Sequence, residues 1–194
     1  VDALTHCIEA YTVQLHQPIT DALALKGISM IAENLEKAYE NGEDREARRN
    51  MMIASTIGGM AFISSNVGAV HAFAETVGAW FDTPHGVANS LFLPYIMEFN
   101  IPACPERFAD IADAMGIERE ESMSDEQYAL KAVEYVKALN RKLNIPTIKE
   151  IKGITEERFE AIAERSANNV LSNDNARKIT KEDYLELLKK AYNE

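Results

Sequence analysis

Residues 50–74 read NMMIASTIGGMAFISSNVGAVHAFA, twenty-five consecutive positions without a formal charge. No Lys or Arg occurs between Arg49 and Arg107. A run of this length raises the question of a membrane span. Gly58-Gly59, Ser64-Ser65-Asn66, Gly68 and His71 interrupt it. A turn at its centre could not satisfy its backbone groups in lipid. The run is therefore read as two central helices of a bundle, Asp44–Phe62 and Gly68–Phe81, covered by charged helices on either side. Met51, Met52 and Met60 recur at roughly helical spacing and are expected in the core. A functional site inside such a bundle would draw its polar groups from these helices.

The flanks are also helical. Val1–Val13 carries apolar residues at helical spacing. Pro18-Ile19-Thr20-Asp21 signals a helix start, and the pattern runs to about Tyr39 before Asn41-Gly42 stops it. Asp82-Thr83-Pro84-His85-Gly86 reads as a turn, followed by a helix to about Asn100 and a connection at Ile101–Pro105. Glu106–Met115, Ser124–Leu143, Thr155–Val170 and Thr180–Tyr192 are charged, amphipathic surface helices. Ser124 with Gln127, and Thr180 with Asp183, have capping-box spacing. No segment alternates as a strand does, and no repeat of solenoid length is present. The expected fold is an all-α helical bundle, one domain over residues 1–194.

Composition narrows the function. The chain has 46% hydrophobic and 26% charged residues, as a folded globular protein does. Twenty basic against 31 acidic residues give a net charge of −11, so neither nucleic acid nor an anionic membrane is an expected partner. Cys7 and Cys104 make no disulfide framework and fit a reducing, cytoplasmic setting. The chain opens at Val1 inside an amphipathic pattern, so we expect a piece of a longer protein, with no signal peptide.

There are four histidines: His6, His16, His71 and His85. Asp2 and His6 are one turn apart and share a helix face, where carboxylate and imidazole could chelate one ion. His71 follows Gly68 at a helix start, with Glu75 one turn later, and His85 sits between Pro84 and Gly86. Asp2, His6, His71 and His85 converging in a bundle would form a site suited to divalent iron or zinc. Spacing does not show convergence, and histidines satisfied within the core are the other reading. Other chemistries lack their motifs: there is no phosphate cradle, nucleophile elbow or paired Cys-x-x-Cys. Glu43, Asp44 and Glu46 form a solvated helix start.

Asp2-Ala3-Leu4-Thr5-His6-Cys7-Ile8-Glu9-Ala10-Tyr11 resembles a segment of the iron-containing (group III) alcohol dehydrogenases. Pro18–Ala24, Gly59-Met60-Ala61-Phe62, Gly68-Ala69-Val70-His71-Ala72, Pro84-His85-Gly86-Val87-Ala88-Asn89, Leu93–Asn100 and Asn175–Thr180 resemble further blocks of that family, in order. The resemblance covers essentially the whole chain. It implies the all-helical C-terminal domain of the two-domain architecture shared with dehydroquinate synthase. It implies Asp2, His6, His71 and His85 as ligands of Fe2+ or Zn2+, and Phe62 as a substrate-pocket residue. The implied reaction is interconversion of a small alcohol and its aldehyde or ketone with NAD or NADP.

Two departures stand out. Glu75 occupies a position where the family often has a second histidine; a carboxylate there can relay a proton, sit near the metal or serve as a structural acid, and Glu75 is assigned the catalytic role. The Rossmann-like N-terminal half that would hold the nucleotide is not in this sequence. The isolated chain is therefore expected to be inactive and to expose apolar surface that favours homo-oligomers, a dimer being the form expected. The alternatives are a related polyol or glycerol dehydrogenase, a dehydroquinate-synthase-like lyase, and a non-enzymatic helical domain with structural histidines.

Overall fold

Ser124 and Gln127 each bond the other's backbone N–H across one helix start, and Thr180 and Asp183 do the same at another. Gln17 and Thr20 close a third start, just ahead of Pro18. These caps satisfy N–H groups that a helix leaves without partners. The computed structural model describes residues 1–194, and the chain folds as helices and connections without a strand. The helices are α1 (Asp2–Thr12), α2 (Pro18–Glu40), α3 (Arg45–Ser65), α4 (Ala69–Phe81) and α5 (His85–Asn100). They continue as α6 (Pro105–Ala114), α7 (Asp125–Lys142), α8 (Phe159–Ala167) and α9 (Lys181–Asn193).

The centre of the bundle is α1, α4 and α5. In α1 every residue from Leu4 to Thr12 except His6 is buried. It packs against α2, α3, α5 and α6, while α4 packs against α5 and α8. Phe73 of α4 stacks on Phe92 of α5 at 4.1 Å, and Tyr184 of α9 meets Phe73 edge-on at 4.6 Å. Pro94 lies inside α5 and leaves the Ser90 carbonyl without its helical N–H donor. Asn140 of α7 donates its amide to that carbonyl at 2.6 Å, so the proline costs no unpaired oxygen.

The expectation for residues 50–74 is corrected in one half. α4 is buried as expected, but α3 lies at the edge of the bundle with its large apolar residues outward. Met52 is 74% exposed and Ile63 79%, with Ile53 and Met60 beside them on the same face. Of the three methionines assigned to the core, Met51 is half-buried, and Met52 and Met60 are exposed. The buried face of α3 is instead Ala47, Ala54, Gly58, Ala61 and Ser65. Small residues there let α3 approach α1 closely: a Cβ on Gly58 would lie 3.1 Å from Cys7 Sγ and 3.3 Å from the Ala3 carbonyl oxygen. Periodicity alone places the bulky residues inward, and close helix contact reverses that choice.

Boundaries moved where local chemistry decided them. α3 continues through Ser65 and stops at Asn66, whose φ of 72° lies in the region L-residues rarely adopt. Asn66 donates its side-chain amide to Asp174 at 2.6 Å, which holds the turn. α3 and α4 are bent by 106° there; together they are apolar enough for a span, but no single helix is long and apolar enough to cross a membrane. α5 begins at His85, directly after Pro84, so the turn ends two residues earlier than expected. The segment expected as one helix over Thr155–Val170 is a 3-10 turn at Glu156–Arg158 followed by α8. The Asn169 side chain then accepts from Leu171 N and starts a further 3-10 turn, Val170–Asp174.

Candidate metal centre

Asp2 and His6 stand one turn apart on α1, His71 on the first turns of α4, and His85 at the start of α5. The bend at Asn66 aims the start of α4 back at α1, and Pro84 does the same for α5. The ligating atoms of His6, His71 and His85 all lie within 4.8 Å of one another. Asp2 Oδ1 is 3.6 Å from His85 Nε2, and Asp2 Oδ2 is 3.6 Å from His6 Nδ1. His71 is 3% exposed and forms the floor, whereas the His85 side chain is 49% exposed and forms the mouth. A centre with such a mouth resembles open, catalytic sites more than closed structural ones.

Hydrogen bonds fix how the rings present their nitrogens. His6 Nδ1 donates to the Asp2 carbonyl oxygen at 3.0 Å. His71 Nδ1 donates to Glu9 Oε2 in a short hydrogen bond. Both rings therefore carry a proton on Nδ1, and their Nε2 atoms face each other at 3.2 Å, close enough to share a single proton or a single metal ion. Two neutral rings would set lone pair against lone pair here, so the pair suits a proton or a metal cation held between the nitrogens. A tetrahedral ion with nitrogen ligands at about 2.1 Å would set such atoms roughly 3.4 Å apart.

Asn89, one turn after His85 and fully buried, gives the same indication. Its amide nitrogen is 2.6 Å from Asp2 Oδ1, 3.0 Å from His85 Nε2 and 3.2 Å from His71 Nε2. Two imidazole nitrogens and a carboxylate oxygen thus crowd one amide nitrogen, while Asn89 Oδ1 is buried without a partner. Acceptors outnumber donors at the focus of the cluster, so the residues fit a bound cation.

The electrostatics separate the two inner histidines. Burial, with His71 as a neighbour, holds the His6 pKa below the ordinary histidine value. Burial also pulls down on His71, but the Glu9 carboxylate outweighs it and the net direction is upward.

The remaining candidates occupy different places. Phe62 is half-buried on α3 and lies against the His6 ring, centroids 4.5 Å apart. Glu75 is exposed on α4, and its carboxylate accepts from Asn169 Nδ2 at 2.7 Å rather than joining the ligand atoms. His16 pairs with Asp21, away from the cluster, at 3.2 Å. Sequence reading missed Glu9 and Asn89. Glu9 shares the α1 face of Asp2 and His6, seven and three residues after them, and that was the available signal. Asn89 repeats the one-turn offset from His85.

Residues 1–192 match the family described as "Fe-containing alcohol dehydrogenase family, C-terminal". The chain is 42% identical to "Alcohol dehydrogenase 4" of Saccharomyces cerevisiae, over 99% of this chain and 49% of that protein. It is 38% identical to the "NADPH-dependent butanol dehydrogenase" of Clostridium saccharobutylicum, over 99% and 49%. The solved alcohol dehydrogenase from Oenococcus oeni superposes with a TM-score of 0.94 at 38% identity, covering 98% of this chain and 50% of that one. The chain spans about half the length of the curated relatives it matches. By sequence match and by fold, this chain belongs to the iron-containing alcohol dehydrogenase family and corresponds to its C-terminal part.

Proposed function

We propose that this chain is the metal-binding helical half of an NAD(P)-dependent alcohol dehydrogenase that interconverts small alcohols with aldehydes or ketones. Asp2, His6, His71 and His85 are the ligands of divalent iron or zinc. The convergence of the His6, His71 and His85 ligating nitrogens to within 4.8 Å of one another, beside the Asp2 carboxylate, is the observation that carries the proposal. When bound, the ion supplies Lewis acidity toward the alcohol oxygen, and a nicotinamide nucleotide supplies the hydride acceptor.

The chain's own residues do the rest. His71 and Asn89 close the floor of the site against water, and the exposed His85 leaves an approach for substrate. Phe62, packed on the His6 ring, forms an apolar wall for the carbon skeleton of the alcohol. Glu75 carries the proton between the site and solvent. Its exposure and its position one turn beyond His71 support that role. Residues 1–194 form one domain. The outward apolar stripe of α3 is the face against which the remainder of the full-length protein packs, since the relatives are about twice as long.

The test uses the full-length protein, assayed for alcohol oxidation with NAD and with NADP. Activity should disappear on chelation, return with Fe2+ or Zn2+, and be absent in a His71→Ala variant. Activity that persists through chelation and in that variant would contradict the proposal.

A further inference from the structure

Glu9 is a carboxylate in the middle of the bundle, 3% exposed. Groups of this kind stay buried only when paired and hydrogen-bonded. Its two oxygens have separate partners. Oε1 accepts the Val70 N–H at 2.8 Å, in the first turn of α4. Oε2 accepts the His71 Nδ1–H.

The start of α4 needs such a partner because Gly68, at its N-cap, offers no side chain. Asn175 Oδ1 completes the cap by accepting Ala69 N–H at 3.3 Å. Gly68 is required by that arrangement: a Cβ there would lie 3.0 Å from Asn175 Oδ1 and 3.2 Å from Glu9 Oε1. One side chain of α1, the helix that carries Asp2 and His6, therefore fixes both the start of α4 and the ring that α4 contributes.

The geometry points to Glu9 as a positioning residue of the metal centre: it holds the His71 ring with its proton on Nδ1 and its Nε2 turned to the ligand cluster, and it sets α4 in register with the ligands of α1. This inference rests on the metal-centre reading given above. A histidine ligand whose other nitrogen donates to a carboxylate is held in tautomer and orientation, and losing that partner typically weakens metal binding about 10–100-fold.

Glu9→Gln is the informative variant. Its amide oxygen can still accept Val70 N–H, so the cap survives. Its amide NH2 then meets His71 Nδ1, which must become the acceptor and move its proton to Nε2, toward the ligand atoms. The experiment is titration of the chain with Co2+, followed by its visible absorption, and with Zn2+ by calorimetry. The parent is compared with Glu9→Gln and with Asn175→Ala, which removes the neighbouring cap without touching His71. Nitrogen-15 NMR of the imidazoles reads the tautomer directly.

The expected result is about 10–100-fold weaker binding in Glu9→Gln, a thermal midpoint near that of the parent, and a His71 proton moved from Nδ1 to Nε2. Asn175→Ala should bind as the parent does. Unchanged affinity in Glu9→Gln, or an equal loss in Asn175→Ala, would overturn the positioning role and leave the metal centre standing. A parent that takes up neither ion would overturn the metal centre and this role with it. If Glu9→Gln does not fold, the parent spectrum decides: a His71 proton on Nδ1 supports the role, and a proton on Nε2 overturns it.

Discussion

His6 and His71 face each other through Nε2 atoms 3.2 Å apart, while the Nδ1 of each ring is already bonded to an oxygen of α1. The Nδ1–H donors of both imidazoles are thus directed outward and their Nε2 atoms inward. Burial and Glu9 make His71 more consequential for folding than the half-exposed His85 at the mouth of the site.

That asymmetry predicts different costs for two similar substitutions in the metal-free chain. His71→Ala leaves Glu9 buried without its imidazole and should destabilise by about 3–5 kcal/mol. His85→Ala removes a half-exposed ring and should change stability by no more than about 0.5 kcal/mol. Urea unfolding of both variants in chelator measures the difference, and equal costs would show that the Glu9–His71 pair does not carry the load assigned to it.

The meeting of α1, α2 and α3 predicts a glycine effect centred on Cys7. A Cβ on Gly27 would lie 2.5 Å from Cys7 Sγ, so Gly27→Ala should cost about 1–3 kcal/mol. Cys7→Ala in the same chain should recover part of that loss, because it removes the clashing sulfur. Gly59→Ala meets nothing within 4 Å and should be neutral or stabilise by up to about 1 kcal/mol, as expected for an unhindered helix position. Thermal melts of the three variants distinguish a local clash at Cys7 from a general intolerance of these helices to glycine replacement.

The outer face of α3 predicts association without a folding role. Met52→Lys and Ile63→Lys should each change stability by about 0.5 kcal/mol or less, since both side chains are already mostly in water. Together they should reduce self-association of the chain in sedimentation velocity, because they interrupt an exposed apolar stripe. A large loss of stability would place that face inside the fold instead.

The thiols carry a pH prediction. Burial pushes the Cys7 thiol up to about 12 and is the main cause holding Cys104 at about 11. A raised thiol pKa means less thiolate, so at pH 8 native Cys7 should present roughly a thousandfold less of it than an ordinary cysteine. Alkylation of the native chain should be negligible at pH 8 and rise with pH, whereas both thiols should react at once in denaturant. Mass spectrometry after a timed iodoacetamide pulse follows both sites, and rapid native labelling of Cys7 would contradict its burial.

Much of this was legible in the chain itself, for reasons that differ by element. The caps at Ser124 and Thr180 are local chemistry, and the helices they start follow from four residues each. Pro18 and Asn41 bracket α2 in the same way. The inversion of α3 was not legible, because Ala54, Gly58 and Ala61 acquire their meaning only from the closeness of Cys7 and Ala3. The convergence of His6, His71 and His85 depends on the 106° bend between α3 and α4, which no spacing encodes. Glu9 was hidden because a carboxylate on a helix reads as solvated until its partners, 61 and 62 residues away, are in place. Glu75 was legible in its one-turn offset from His71, but the Asn169 amide that its carboxylate accepts lies 94 residues further on and could not be read from spacing.

The most direct test is the metal content of the chain purified anaerobically, beside a His71→Ala/His85→Ala double variant. The account predicts close to one iron or zinc ion per parent chain and almost none in the variant. A parent that holds no metal and takes up neither ion at micromolar concentration, or a variant that holds as much as the parent, would contradict it.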